Sequence, residues 1–298
     1  MHLDAEQITK ITSCAGLGEA SLIEEIDTGF SNDVFTIDNK YILKSWDPKN
    51  IHLFRKELWC LNALKDKVPV PKLLCFDTKG EVVGQPYIVM EKMPGIPLIN
   101  AWQNLKDDIK SQIVREICNH LKTINSLDTS AVPELFNQIP SWQDWIESEF
   151  RKNLLRMEES GIYEANTIRK VKIRMDILLP ALKEQNMKIS YYDVHFGNFL
   201  IDNNRISAVI DLERVEWVSI DYSLNWVNRM SYDPEEYIEE PKEKEFEKIL
   251  PLFEKHYPEL FQFDDLEKRL EAYTILSEMR FKLKELELNK DDTIMSDG

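Results

Sequence analysis

Hydrophobic positions along the chain change their period near residue 95. Before that point apolar residues come in short β-compatible runs at 22–27, 34–37 and 41–46. Asp38-Asn39-Lys40 predicts a hairpin turn between the second and third runs. A helix is predicted over 50–64, where Leu53, Glu57, Leu61 and Leu64 share one stripe. Val68-Pro69-Val70-Pro71 ends it. Two further runs, 72–76 and 86–90 with Lys79-Gly80 in the turn between, complete a small antiparallel unit of five strands and one helix. Met93-Pro94-Gly95 reads as a boundary, which divides the chain into lobes of 1–93 and 94–298.

Beyond the boundary the period becomes helical. Ile109, Ile113, Ile117, Leu121 and Ile124 recur every three or four residues. Helices are predicted at 141–159 and 164–184, and the last helix carries a core stripe of Phe263, Leu266, Leu270, Tyr273, Leu276, Met279, Leu283 and Leu286. One stretch interrupts the helices: β-like runs at 189–192, 199–201 and 206–210 flank the loop 193–198 and the turn Asn203-Asn204. After Asp211 the pattern predicts Leu212-Glu213 and then helix, with Asp221 read as the cap of a helix over 222–230 if it has no ligand to meet. The fold class is therefore α+β, bilobal, with a small antiparallel β-sheet lobe followed by a larger, mainly α-helical lobe. A ligand belongs in the cleft between them.

Composition changes this picture little. A chain of 298 residues, 43% hydrophobic and 30% charged, buries enough surface to fold without staples. Cys14, Cys60, Cys75 and Cys118 form no C-x-x-C pair and read as buried free thiols of a reducing compartment. The first ten residues are too polar for a signal peptide, and no run reaches the about 18 apolar residues of a membrane helix. A soluble, cytoplasmic chain, monomeric and without membrane contact, is expected. Charge excludes more. The net charge is −16, which argues against nucleic acid as a partner. Residues 233–298 carry 20 acids against 10 bases, a field suited to a cationic ligand.

The chemistry concentrates in Tyr191-Tyr192-Asp193-Val194-His195-Phe196-Gly197-Asn198, followed by Ile210-Asp211-Leu212-Glu213. Asp193 and Asn198 stand five apart in a loop bounded by apolar strands, and Asp211 ends the next hairpin. One carboxylate there can accept a proton from an alcohol. The other carboxylate and the amide offer hard oxygens to magnesium. Phosphoryl transfer needs little beyond such positioned charge. A metal-dependent hydrolase built on Asp193, His195 and Asp211 is an alternative use of the same residues.

At these residues the chain resembles the aminoglycoside phosphotransferase and choline kinase family, a branch of the protein-kinase-like fold. The resemblance implies that Asp193 is the catalytic base, that Asn198 and Asp211 hold magnesium, and that His195 is structural. It implies that Lys44, closing the third strand, reaches the nucleotide phosphates and that Glu57 pairs with it. Gly29-Phe30-Ser31-Asn32 lies where relatives cover the phosphates, with Ser31 and Asn32 as backbone donors. Met90, Glu91 and Met93 lie in a stretch that resembles the linker binding the nucleotide base. One departure stands out, since Tyr191-Tyr192 replaces the His-Gly usual before the catalytic aspartate. The activity implied is transfer of the γ-phosphate of ATP or GTP, with magnesium, to a hydroxyl of a small cationic acceptor. An aminoglycoside is the first expectation, and choline, ethanolamine, methylthioribose, homoserine or a macrolide are others. Acids among aromatics supply the acceptor candidates Glu213, Glu216, Trp217, Glu235, Glu236 and Glu239. A nucleotide-binding protein without catalysis is the alternative of a different class.

Overall fold

The computed structural model describes residues 3–18, 20–26, 32–136 and 139–296, with 287–296 described by backbone alone. The expected phosphate loop, with Gly29 and Ser31, lies outside the described residues. Helix α1, Ala5–Cys14, opens the fold. It starts at a capping box in which Asp4 accepts from the Gln7 N–H at 2.8 Å and Gln7 Oε1 accepts from the Asp4 N–H at 3.0 Å. The sequence reading missed this helix, whose signal was the D-x-x-Q box ahead of the Ile8 and Ile11 pair.

Strands β1 (Ile23–Glu25), β2 (Asn32–Ile37) and β3 (Tyr41–Trp46) lead into helix α2 (Ile51–Leu64), and β4 (Leu73–Asp77) and β5 (Tyr87–Glu91) follow. They form one antiparallel sheet in the order β1-β2-β3-β5-β4. Asp38 and Asn39 both take positive φ, 51° and 56°, as a tight primed hairpin turn requires. Alternation sorts the two faces of the sheet. Phe35, Ile37, Leu43, Tyr87 and Val89 pack with Leu3, Ile8 and Ile11, while Trp46, Ile88 and Met90 join the main core with α2. The predicted α2 stripe is buried, including its acid Glu57 at 1% exposure.

The second lobe runs β6 (Ile96–Pro97), α3 (Leu98–Trp102), α4 (Asp107–Asn125), α5 (Trp142–Ser160), α6 (Ala165–Leu178), β7 (Met187–Tyr191), β8 (Phe199–Asp202), β9 (Arg205–Val209), β10 (Val215–Ser219), α7 (Leu224–Tyr232), α8 (Glu243–Phe246), α9 (Ile249–His256) and α10 (Leu266–Ser296). Strands β6, β8 and β9 form one small sheet, and β7 with β10 forms another. Gly95 leads into β6 at φ 111°, where an added Cβ would stand 2.5 Å from the Ile201 carbonyl oxygen and 2.8 Å from Ser207 Oγ. Both the backbone angle and the contact exclude a side chain. Gly95→Ala is expected to cost about 1–3 kcal/mol, readable as a lower urea midpoint at unchanged slope.

Two sequence expectations are corrected here. Leu212-Glu213 does not run into helix. A single 3-10 turn, Leu212–Arg214, leads to strand β10, which pairs antiparallel with β7 from Val215↔Tyr191 to Ser219↔Met187. The Val-Glu-Trp-Val-Ser run has the β-branched and aromatic content of a strand, and its partner strand lies close by. Nor does Asp221 cap a helix. It is fully buried, gripped by Arg269 Nε at 2.7 Å and Nη2 at 2.9 Å, and accepts from Tyr273 Oη at 2.7 Å and Ser219 Oγ at 2.6 Å. Of the four free thiols, Cys60 and Cys118 are buried, but Cys75 is half-buried and Cys14 is exposed on the first helix. Among the described residues, no helix is long and apolar enough to cross a membrane.

Candidate active site

Strand β3 delivers Lys44 into the cleft with only 7% of its side chain exposed. Its Nζ donates to Glu57 Oε2 at 2.6 Å and to Asp211 Oδ1 at 2.7 Å, with Glu213 Oε2 at 3.4 Å. Helix α2 brings Glu57 here because its core stripe faces the sheet, and α2 also packs on the Leu212–Arg214 turn. Three segments distant in sequence therefore meet at one ammonium. Burial works against the charge of Lys44, but the carboxylates of Asp211, Glu57 and Glu213 outweigh it and hold the amine protonated. Burial pushes Glu57 up to about 7, against the pull of Lys44.

Asp211 sits in the left-handed region at φ 58°, ψ 53°, which directs its carboxylate back from the end of β9 toward Lys44. Burial would raise its pKa, but Lys44 lowers it below the ordinary carboxylate range. Unlike Glu57 and Glu213, it keeps 39% of its side chain open to the cleft. Glu213 was expected to meet the acceptor. It is instead only 3% exposed and receives Trp46 Nε1 at 2.9 Å and Asn32 Nδ2 at 2.8 Å, so it belongs to the lysine pocket. Asn32 thus contributes a side chain there.

The loop after β7 holds itself in shape. Asn198 Nδ2 donates to the Asp193 carbonyl at 3.1 Å and to Asp193 Oδ2 at 3.2 Å. The His195 N–H donates to the Asp193 carbonyl at 2.9 Å, and His195 Nδ1 accepts from the Gly197 N–H at 3.2 Å. That acceptance places the ring proton on Nε2, which lies 3.9 Å from Asp193 Oδ2. Beneath the loop, Phe196 packs on Trp102 at 4.8 Å and its N–H points at Met230 Sδ. Tyr191, one of the two departures, is fully buried and donates from Oη to the Ile210 carbonyl at 3.1 Å, which ties this loop to the residue before Asp211. Burial raises the pKa of Asp193, and His195 and Arg214 draw it partly back. A carboxylate so placed is a stronger base than a surface aspartate.

The oxygens suit a hard cation. Asn198 offers an amide oxygen, its nitrogen being bonded to Asp193, and Asp211 keeps an open carboxylate on the cleft. Glu57, Asp211 and Glu213 also have oxygens within 4.8 Å of one another, but the Lys44 ammonium already lies among them.

In the linker, Met90 is buried, Glu91 is exposed at the strand end, and Met93 is half-buried. The Glu91 N–H donates to the Lys72 carbonyl and the Lys92 N–H to the Lys40 carbonyl, each within 2.9 Å. Pro94 has no N–H. Among the described residues this leaves Met93 as the linker donor without an acceptor.

The remaining acceptor candidates do not converge. Glu216 is ion-paired with Lys56 of α2, and Trp217, its neighbour on β10, is partly buried against the core. Glu235, Glu236 and Glu239 are exposed beyond α7, with Glu236 on Arg229 at 2.5 Å. What flanks Asp193 was not foreseen. Arg214 stands beside Tyr192, since Val215 pairs with Tyr191, and Arg280 of α10 donates to Tyr222 Oη at 3.2 Å and to Glu149 at 3.0 Å. Arg214 was readable only as a polar residue in a turn, and Arg280 only as the charged side of a helix.

A sequence profile of the phosphotransferase enzyme family matches residues 22–239. Several solved structures share the fold. The GDP complex of aminoglycoside 2'-phosphotransferase-IIIa superposes with a TM-score of 0.74 at 13% identity, over 98% of this chain and 94% of that one. The streptomycin–ATP ternary complex of APH(2")-IIa gives 0.70 at 14%, over 94% and 90%. A thermostable mutant of APH(4)-Ia with AMP-PNP and hygromycin B gives 0.68 at 18%, over 96% and 94%. Among curated proteins, the probable acyl-CoA dehydrogenase IBR3 of Arabidopsis thaliana is 27% identical over 124 residues, which is 37% of this chain but 15% of that much longer protein. The profile covers well over half of the chain, through the lysine strand, the aspartate loop and Asp211. The chain belongs to the phosphotransferase enzyme family, and its two lobes have the protein-kinase-like fold.

Proposed function

We propose that the protein transfers the γ-phosphoryl group of ATP or GTP to a hydroxyl of a small molecule. The observation that carries this reading is the single ammonium of Lys44 held between Glu57 and Asp211, beside a loop that aims Asp193 at the same cleft. Lys44 binds nucleotide phosphate oxygens, and Glu57 holds the lysine in place. Met93 donates to the base from the linker, with Met90 and Glu91 shaping the strand end. Asp193 orients the acceptor hydroxyl and takes its proton as the oxygen attacks phosphorus. Asn198 and Asp211 would hold magnesium, which when bound supplies charge for the phosphate oxygens. The hydrolase reading loses ground, because His195 spends Nδ1 on its own loop.

The test is a coupled assay with magnesium and ATP or GTP in turn, with nucleotide binding followed separately. Glu57→Gln keeps the shape of the buried pair and removes its charge. It is expected to lower kcat/KM by about 10–100-fold, the worth of one charge-assisted hydrogen bond. Equal activity in this variant would refute the role given to the pair. An aminoglycoside acceptor has two supports: the compounds bound by the structural neighbours, and the net charge of −16. Of the acids that would receive it, Glu213, Glu216 and Glu236 are engaged by Lys44, Lys56 and Arg229, and the acceptor is therefore better judged from what surrounds Asp193.

A further inference from the structure

The open side of Asp193 is walled by guanidinium groups and aromatic rings. Arg214 ends the 3-10 turn that starts one residue after Asp211, and because Val215 pairs with Tyr191 it stands beside Tyr192, the residue before Asp193. The nearest carboxylate, Glu213, is 3.8 Å from its Nε and is already shared by Lys44, Trp46 and Asn32. Tyr192 stacks obliquely on Tyr222 at 5.1 Å. Arg280 grips Tyr222 from the other side and lies 5.7 Å from the Trp145 ring. Both guanidiniums are about one third exposed. On the other flank, His195 meets Trp226 at 5.4 Å, and Trp226 meets Phe281 at 5.8 Å, with Phe281 40% exposed. Two acids stand among these groups: Glu236 is paired with Arg229, and Glu149 takes the Nη2 of Arg280 at 3.0 Å while that arginine's Nη1 reaches Tyr222.

A polycationic acceptor needs free carboxylates within contact distance, and of the acids named here only Asp193 and Asp211 keep an open carboxylate without an arginine partner, both already given to the phosphotransfer step. The overall negative charge does not replace them, since exposed charges are screened beyond about 8–10 Å. Arginine forks suit carboxylates, and the rings suit an apolar body. We infer that the acceptor is an alcohol bearing a carboxylate, held by Arg214 and Arg280 on either side of the Tyr192–Tyr222 pair, with its apolar part against the rings. This rests on the phosphotransfer reading and narrows it.

The test compares three alcohols of one shape: para-(hydroxymethyl)benzoate, its methyl ester, and para-(aminomethyl)benzyl alcohol, with kanamycin as a polycation. Magnesium-dependent binding of ATP and of GTP is measured alongside. The acid is expected to exceed the ester and the amine in kcat/KM by about tenfold or more, as one charge-assisted contact provides. Arg214→Gln and Arg280→Gln should each shrink the acid-to-ester ratio, an internal comparison that a general loss of fold or activity does not move. Preference for the amine or kanamycin overturns the inference. So does an unchanged ratio in both variants, or no turnover of the acid with a nucleotide that still binds. Absence of magnesium-dependent binding of both ATP and GTP overturns the phosphotransfer reading instead, and this inference with it.

Discussion

Asp193→Asn is expected to lower kcat by about 10²–10⁴-fold, the usual worth of a positioned base. The substitution is nearly isosteric. Asn198 Nδ2 keeps an oxygen to donate to, because the loop is held by the Asp193 carbonyl and one side-chain oxygen. Lys44, Glu57 and Asp211 are untouched, so the affinity for magnesium and nucleotide should stay close to that of the parent. The pH profile supplies a second readout. Burial, the largest influence on Asp193, raises its pKa, and a protonated carboxyl cannot take the hydroxyl proton. The rate of the parent should rise with pH through a limb above the ordinary aspartate range, and the variant should lack that limb. A variant that keeps full kcat, or keeps the limb, removes Asp193 from the role of base. Single-turnover measurements with saturating nucleotide separate chemistry from binding.

The largest loss of stability is expected at Arg269→Met. Arg269 and Asp221 form an ion pair with no exposed side-chain surface on either partner. The arginine also donates from Nη1 to the Ala181 and Glu184 carbonyls at 2.7 and 2.8 Å, and its guanidinium lies 4.4 Å from the Phe263 ring. Removing it leaves a buried carboxylate with two neutral donors, Ser219 and Tyr273, and two carbonyls without their partner. Breaking a buried pair from one side costs about 3–5 kcal/mol. For a chain of this size that is a fall of roughly 5–15 °C in melting temperature. The consequence reaches the site, because Asp221 joins the end of β10 to α7, and α7 carries Trp226 beside His195. The double variant Arg269→Met/Asp221→Leu should recover part of the loss, since an apolar pair leaves no stranded charge. A single variant as stable as the parent would show that the pair does not hold this junction.

Linear spacing was enough for the aspartate loop. Asp193 and Asn198 are five residues apart, so a short loop closed by its own backbone can set them face to face whatever surrounds it. The hairpin between β8 and β9 then returns the chain to Asp211 with a strand length that alternation predicts. Strand β3 and helix α2 were also readable, because the period-2 and period-3.6 patterns there are strong, and Lys44 and Glu57 follow from their places on them. Helix α1 and strand β10 were missed. One is short and the other is polar at Glu216 and Ser219, so their apolar signal is weak, and pairing partners decide them. The acceptor side was misread for a different reason. An acid in a sequence carries no mark of whether a cation elsewhere has claimed it.

The sequence by itself determined the two-lobed α+β architecture, the strand and helix that carry Lys44 and Glu57, and the self-contained loop that holds Asp193 and Asn198 together. These depend on periodicity and on contacts a few residues long. Only the tertiary structure decided that Glu213 is buried beside Lys44, that Asp221 is buried on Arg269, and that Arg214 and Arg280 stand by the tyrosines next to Asp193. The first two of those outcomes are competitions for a charged partner across 48 to 181 residues of chain. Such a competition is settled by which groups are desolvated together, a property of the packed fold that no local pattern encodes.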